Sequence, residues 1–311
     1  MSIYRHIPAP PLNRYVDFFW YYVDLSPDHD REHVLPDGTC ELIINLQETP
    51  RKLFHRADST EHDAFKQGWI SGAHSKFLVI DALPRSSMIG VHFKPGGAAA
   101  FLGLPAGELA GQVVELDAVW GRPVWDWRDQ LLAACTAALK FGILERLLSG
   151  RLAQNKLRQR QSGAIAWALD RYMAEPNLQT ITSVSSQVGF SHKHFIDLFR
   201  RQTGLSPKVF CRIRRFQKVL LEVQTRAEIN WADVACSCGY FDQSHFFHDF
   251  VNFSGLNPSA YLGRCLEVRS TSEVLPNGKF HVKAEYLKNG EWTPGHEVTY
   301  EEAPESKVVF K

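Results

Sequence analysis

The chain contains no run near the roughly 18 consecutive apolar residues that a membrane-spanning helix needs, although 44% of its 311 residues are hydrophobic. Its first stretch, MSIYRHIPAPPLNRY, lacks the apolar core of a signal peptide, which predicts cytoplasmic residence and no membrane partner. The six cysteines stand at 40, 135, 211, 236, 238 and 265, without a CxxC pair. Their apolar contexts predict buried, reduced thiols rather than a redox or metal centre. No Ser/His/Asp elbow, phosphate-cradling loop or dinucleotide fingerprint occurs, so no catalytic residues and no cofactor are expected. Net charge is also missing, at +1 overall. That balance hides an asymmetry. Residues 151–264 carry 15 Lys/Arg against 8 Asp/Glu, and the remainder of the chain is acidic by 6. A basic segment in an acidic chain suggests a polyanionic partner for that segment, with chance clustering as the alternative.

Residues 1 to about 118 read as mainly β, with Pro36-Asp37-Gly38 as a turn. Strands are expected over Thr39 to Leu46, Trp69 to Gly72, Lys76 to Ala82 and Ser87 to Lys94. Short strands punctuated by Gly and Pro suggest a small cupin-like barrel or sandwich. On one strand face stand Glu41 and Asn45, and on another Gly90, His92 and Lys94. If those faces line an interior, Glu41, Asn45, His92 and Lys94 offer a ligand site; otherwise they point to solvent. A metal enzyme would want two or three converging histidines, commonly a close pair on one strand. This half has no His-x-His, and His33, His74 and His92 are far apart. From Trp120 to Leu148 a helical stripe follows: Leu131, Leu132, Cys135, Leu139, Ile143, Leu144 and Leu147. It can pack on the β-rich half or pair with a second copy. Residues 149–163 are polar and basic and read as a linker.

The segment 164–264 is built on a repeat. Gly189, Phe190, His194, Phe195, Phe199, Gly204, Leu205, Pro207 and Phe210 return as Gly239, Tyr240, His245, Phe246, Phe250, Gly255, Leu256, Pro258 and Tyr261. The offset is 50 at the glycine and 51 from His194 onward, so one residue is inserted in the second turn. One supersecondary unit is therefore used twice. A helix over 184–188, a turn at Gly189 and a second helix capped by Ser191 form a helix-turn-helix. In that second helix Phe195, Leu198 and Phe199 are expected to bury. Lys193, Ile196, Asp197 and Arg200 fall on the opposite face, where a helix in a major groove meets base edges and phosphates. A long helix from Pro207 to Val223 joins the two units. Lys193, Arg200, Arg201, Lys208, Arg212, Arg214 and Arg215 make the first unit cationic, whereas no Lys or Arg lies between Tyr240 and Gly263. The first unit is therefore expected to carry most of the affinity for DNA.

These residues make the segment resemble the double helix-turn-helix domain of the AraC/XylS family of transcription regulators. Gly204-Leu205-Ser206-Pro207, Phe210, Arg215 and the run from Gly239 through Phe250 to Tyr261 carry the likeness. Leu35-Pro36-Asp37-Gly38, Phe93 to Gly103 and Trp120-Gly121 resemble the β-rich domain that precedes it in one subgroup. The resemblance implies base readers at Lys193, Ile196, Asp197 and Arg200, and at Gln243, Ser244, Phe247 and His248. Arg201, Lys208 and Arg212 join them as DNA-binding cations. The family commonly has long polar or basic side chains where Ile196, Asp197 and His248 stand, and a Lys or Arg at Val251. Double-stranded DNA is the implied partner. A small-molecule effector, a homodimer contact and RNA polymerase (for an activator) stay open, as do a cupin-like enzyme fused to a DNA-binding domain and a non-sensing interaction protein.

The last segment, 265–311, alternates over Leu266 to Glu273, Lys279 to Leu287 and Glu291 to Tyr300, with hairpin turns at Pro276-Asn277-Gly278 and Asn289-Gly290. The expected whole is an α+β multidomain chain. It has a β-rich part over 1–148, a linker over 149–163, an all-α double helix-turn-helix over 164–264 and a short β-meander over 265–311.

Overall fold

The computed structural model describes residues 2–25, 27, 29–155, 163–177, 180–225, 229–265, 268–274, 280–288 and 291–300. Ten strands open the chain: β1 (Ser2–His6), β2 (Val16–Leu25), β3 (Arg31–Val34), β4 (Glu41–Asn45), β5 (Arg51–Phe54), β6 (His62–Phe65), β7 (Gly68–Ser71), β8 (Leu78–Asp81), β9 (Ser86–Phe93) and β10 (Val113–Glu115). Six form an antiparallel sheet in the order β1-β2-β9-β4-β7-β10, and four form a second in the order β3-β8-β5-β6. Both sheets are open, so of the two β architectures expected the sandwich is the one realised.

The six-stranded sheet is buried on both faces, because its strands alternate between two apolar sets. Cys40, Leu42, Ile44, Ile89, Val91 and Phe93 enter the main core, while Ile43, Trp69 and Met88 form a smaller cluster with Phe65. Short helices α1 (Ala99–Leu102) and α2 (Leu116–Trp120) lead to α3 (Pro123–Ala133) and α4 (Ala137–Asn155).

Two expectations fail between α3 and α4. The continuous stripe is broken, because the chain turns extended at Ala134. A helix that stops loses its angular phase, so residues beyond the break no longer continue the face before it. Leu131 and Leu144 are buried, but Leu132, Cys135 and Leu139 are exposed, and Phe141, Leu148 and Leu152 take their places. Lys140 is buried because its ammonium donates to the carbonyls of Leu131 and Ala134, capping the end of α3. The supposed linker is helical as far as Asn155, with Leu152 in the core and Arg151 donating to the Phe101 carbonyl (2.8 Å). Cysteine burial is also only partial. Cys40 and Cys238 are buried and Cys211 is half-buried, whereas Cys135 and Cys236 are exposed free thiols.

The helical part comprises α5 (Gly163–Ala174), α6 (Ile181–Gln187), α7 (His192–Thr203), α8 (Pro207–Thr225), α9 (Trp231–Ser237), α10 (Gln243–Ser254) and α11 (Pro258–Cys265). Helix α6 starts earlier than expected, because Thr180 supplies the cap by accepting from Ser183 N. The buried face of α8 is Phe210, Ile213, Phe216, Val219, Leu220 and Val223, and it belongs to the same continuous core as the β-rich half. Strands β11 (Val268–Val274), β12 (Phe280–Lys288) and β13 (Glu291–Tyr300) form the expected antiparallel meander, and β13 lies against β1. The hairpin turns expected at 276–278 and 289–290 lie outside the described residues. Among the described residues no helix is long and apolar enough to cross a membrane.

Candidate nucleic-acid interface

The two repeated units are built alike down to their end caps. Ser191 accepts from His194 N before α7, and Asp242 accepts from His245 N before α10. Phe190 N donates to Ser185 O (3.0 Å), and Tyr240 N to Ala235 O (2.9 Å). At the other end Thr203 Oγ1 accepts from Leu205 N and lies 2.9 Å from Phe199 O; Ser254 Oγ does the same with Leu256 N and Phe250 O. In the sequence this hydroxyl clasp is written as Thr203-Gly204-Leu205 against Ser254-Gly255-Leu256, a further match between the two copies. Between hydroxyl and leucine stand Gly204 (φ +88°) and Gly255 (φ +74°), in the left-handed cap conformation that favours glycine.

Both glycines also meet the β-rich half, through one loop. A Cβ on Gly204 would stand 3.2 Å from Ala73 Cβ, and one on Gly255 only 2.5 Å from the Phe77 ring. Between these two points Asn252 Nδ2 donates to Ser75 O (3.4 Å). The β7–β8 loop, residues 72–77, therefore seats the C-terminal ends of α7 and α10 at once. Neighbouring contacts extend the seat. His33 Nδ1 donates to Ser254 O (3.2 Å), and Gln217 Nε2 on α8 donates to Pro36 O (2.7 Å). Arg214 reaches Asp37 O (3.5 Å), and Gly38 faces the Phe210 ring. The Leu35-Pro36-Asp37-Gly38 turn thus acts as a cradle for α8.

On α7, Phe195 and Phe199 are fully buried, and Lys193, Asp197, Arg200 and Arg201 are exposed with Ile196 half-exposed between them. Lys208 is exposed at the start of α8. Arg200 and Arg201 lie in the last turn of α7, where the helix dipole favours cations. On α10, Gln243, Ser244, Phe247 and His248 are exposed. Arg212 departs from expectation. Its guanidinium pairs with the carboxylate of Asp249, Nε lying 3.1 Å from Oδ1 and the terminal nitrogen 2.5 Å from the same oxygen. Asp249 is fully buried. Its hydrogen bonds hold Arg212 charged by raising the guanidinium pKa further. The pair is a strut from α8 to α10, which commits the Arg212 guanidinium to the fold. Arg215 donates to Gly239 O (3.3 Å) and lies over the Tyr240 ring. Of seven cations counted in the first unit, Arg212, Arg214 and Arg215 hold the fold together. Lys193, Arg200, Arg201 and Lys208 remain at the surface.

Of the four ligand residues expected in the β-rich half, the structure brings Glu41 and His92 together and leaves Asn45 and Lys94 apart. Glu41 and His92 pair across β4 and β9, with His92 Nδ1 3.6 Å from Glu41 and Nε2 3.5 Å from Asp37. Over Gly90, where a Cβ would stand 2.2 Å from the ring, lies the indole of Trp20, whose Nε1 donates to Glu41 (2.7 Å). The indole thus covers the Gly90 backbone on the strand face that carries Glu41 and His92. Lys94 is exposed beyond the end of β9. Asn45 sits at the far end of β4, about 13 Å from Glu41 at strand rise. It is fully buried, donating to Thr49 O and Lys66 O and accepting from Gln47 N. Replacing Asn45 by Ala should therefore lower the unfolding free energy by about 2 kcal/mol, through three unanswered backbone groups. Urea unfolding measures this; an unchanged midpoint would contradict the structural role. Nearby, Ser71 Oγ meets His74 Nε2 (2.9 Å), and burial pushes the His74 imidazole down to about 4. Among the described residues no three of His, Cys, Asp and Glu stand together as a metal site would need.

The comparisons with known proteins divide the chain along the same line. Residues 184–264 match the model of a helix-turn-helix domain, and residues 4–115 match a domain family of unknown function (DUF6597). No curated protein matches the chain. Among solved structures, ToxT from Vibrio cholerae covers 79% of this chain and 97% of its own at 10% identity and a TM-score of 0.43. The DNA-binding domain of AdpA, solved in complex with a target DNA, covers 33% of this chain and 89% of its own at 21% identity and a TM-score of 0.29. A DNA-binding transcriptional dual regulator from Escherichia coli K-12 covers 33% and 94% at 22% identity and a TM-score of 0.27. Agreement this loose carries no argument of its own; the family match over the repeated units does. Residues 184–264 therefore carry a helix-turn-helix domain of AraC type, the DNA-binding element of a transcription regulator.

Proposed function

We propose that the protein binds two half-sites of duplex DNA, one per unit, acting in the cytoplasm by binding rather than by catalysis. The β-rich half holds the two reader helices at a fixed separation. The observation that carries this reading is the single loop, residues 72–77, against which both α7 and α10 end. Two readers sharing one rigid seat cannot adjust to a changed spacing, unlike units on a flexible tether. Lys193, Ile196, Asp197 and Arg200 contact the first half-site, Arg201 and Lys208 its phosphates, and Gln243, Ser244, Phe247 and His248 the second. With Trp20 lying over Gly90, the geometry favours a scaffold role for the β-rich half over an effector pocket at Glu41 and His92.

Footprinting on duplexes selected from a random pool should yield two protected half-sites about one helical turn apart. Inserting about five base pairs, half a turn, between them should reduce binding to that of a single half-site. Undiminished binding to the lengthened site would refute the rigid seat, and selection of no duplex at all would refute the function.

A further inference from the structure

Resting on that reading, we infer that the second unit recognises an A·T-rich half-site through thymine methyl groups, with Phe241, Phe247 and Val251 as its specificity-determining contacts.

The repeat permits a position-by-position comparison of the two reader helices. At the offset of 51, Lys193 corresponds to Ser244, Ile196 to Phe247, Asp197 to His248, Arg200 to Val251 and Arg201 to Asn252. Every cation of the first stripe is neutral in the second. Both helices keep a side-chain cap at the start and a left-handed glycine at the end, so α10 keeps the pose of a reader while lacking the groups that neutralise phosphate. What it exposes instead is apolar. Phe247 is 37% and Val251 45% exposed, and with His248 and Asn252 they line a shallow open depression on the face of α10.

The residue inserted between the two copies is Phe241. Tyr240 answers Phe190, and Asp242 answers the cap Ser191, leaving Phe241 without a counterpart. It is 95% exposed at the N-terminal tip of α10. A phenyl ring left in water forgoes most of the stabilisation that burial supplies, which marks it for a partner. Phe247 and Val251, four residues apart, share the face of α10 that also exposes Gln243, and Phe241 stands at the N-terminal end of that helix. In a major groove the one apolar group at the base edges is the thymine 5-methyl, and Gln243, beside Phe247 on the stripe, has the amide that suits adenine. Both features select A·T pairs.

The test uses the full chain and a duplex it selects from a random pool, with thymines replaced by uracil one half-site at a time. Uracil keeps base pairing and removes only the methyl. Affinity, read by fluorescence anisotropy, should fall about fourfold per contacted methyl in the half-site beneath α10. It should fall less in the other, where Ile196 alone offers an apolar contact. In Phe241→Ser and in Phe247→Ser the uracil penalty should shrink; Phe241 is exposed enough for its variant to fold normally. An unchanged affinity with uracil, or a penalty that persists in both variants, overturns the inference while leaving DNA binding intact. Loss of self-association in the variants without any change in uracil sensitivity also overturns it, by making the patch a contact between copies. Failure of the wild-type chain to select any duplex removes the underlying function as well.

Discussion

Replacing Lys193, Arg200 and Arg201 together by Ala is expected to weaken binding to the selected duplex by on the order of a hundredfold to a thousandfold near physiological salt. These side chains share the exposed stripe of α7 with Ile196 and Asp197 and, among the described residues, have no competing structural partner comparable to Asp249. Each phosphate contact removed should flatten the dependence of log K on log salt by about 0.9, so the triple variant should lose about 2.7 from the slope. Loss of favourable dipole interactions in the last turn of α7 costs at most about 1 kcal/mol per cation and does not alter the slope. The substitution Ser244→Ala, at the position in the second unit that corresponds to Lys193, should leave the slope where it was. A change of less than about one in the first variant would show that the first unit does not carry the electrostatic affinity.

Arg212→Ala separates a structural cation from a DNA-binding one. Removing the guanidinium leaves the Asp249 carboxylate fully buried without its bidentate partner, which should destabilise the chain by about 3 to 5 kcal/mol. His245 and His248 stand within 3.8 Å of the same carboxylate. Asp249→Asn should cost less, because the Arg212 side chain is 23% exposed and can turn to water. Exchanging both for apolar residues of similar size should restore much of the loss. Urea unfolding at neutral pH measures all three. If Arg212→Ala leaves stability unchanged but reduces the salt slope of DNA binding by about one, the cation belongs to the interface after all.

Local chemistry made most of the helical part legible. Apolar spacing in α7 and α8, caps at Ser191 and glycines at 189, 204, 239 and 255 depend on residues a few positions apart, and a repeat displays each requirement twice. The β-rich half was legible as strands but less so as an assembly. Alternation put Glu41 and Asn45 on one face, as the structure does, yet it could not show that Trp20 covers Gly90 or that Asn45 spends its amide on Thr49 and Lys66. Those facts depend on residues that are neighbours only across the sheet. The stripe through Leu139 was misread for a related reason. Periodicity assumes one uninterrupted helix, and the extended residue at Ala134 resets the phase.

By itself the sequence determined that the chain holds two copies of a helix-turn-helix, that the second is stripped of cations, and that one residue is inserted in its turn. Only the tertiary structure decided which charges are free. Arg212, Arg214 and Arg215 look identical to Arg200 in a tally of charge, but a committed guanidinium needs an acceptor in space, and the Asp249 carboxylate and the carbonyls of Asp37 and Gly239 lie 24 to 177 residues away along the chain. Likewise only the fold shows that Ala73, Ser75 and Phe77, ordinary loop residues in the sequence, hold both reader helices by their ends. Sequence encodes local geometry through near neighbours, whereas the commitment of a charge or a loop is made by contacts that exist only once distant segments have packed.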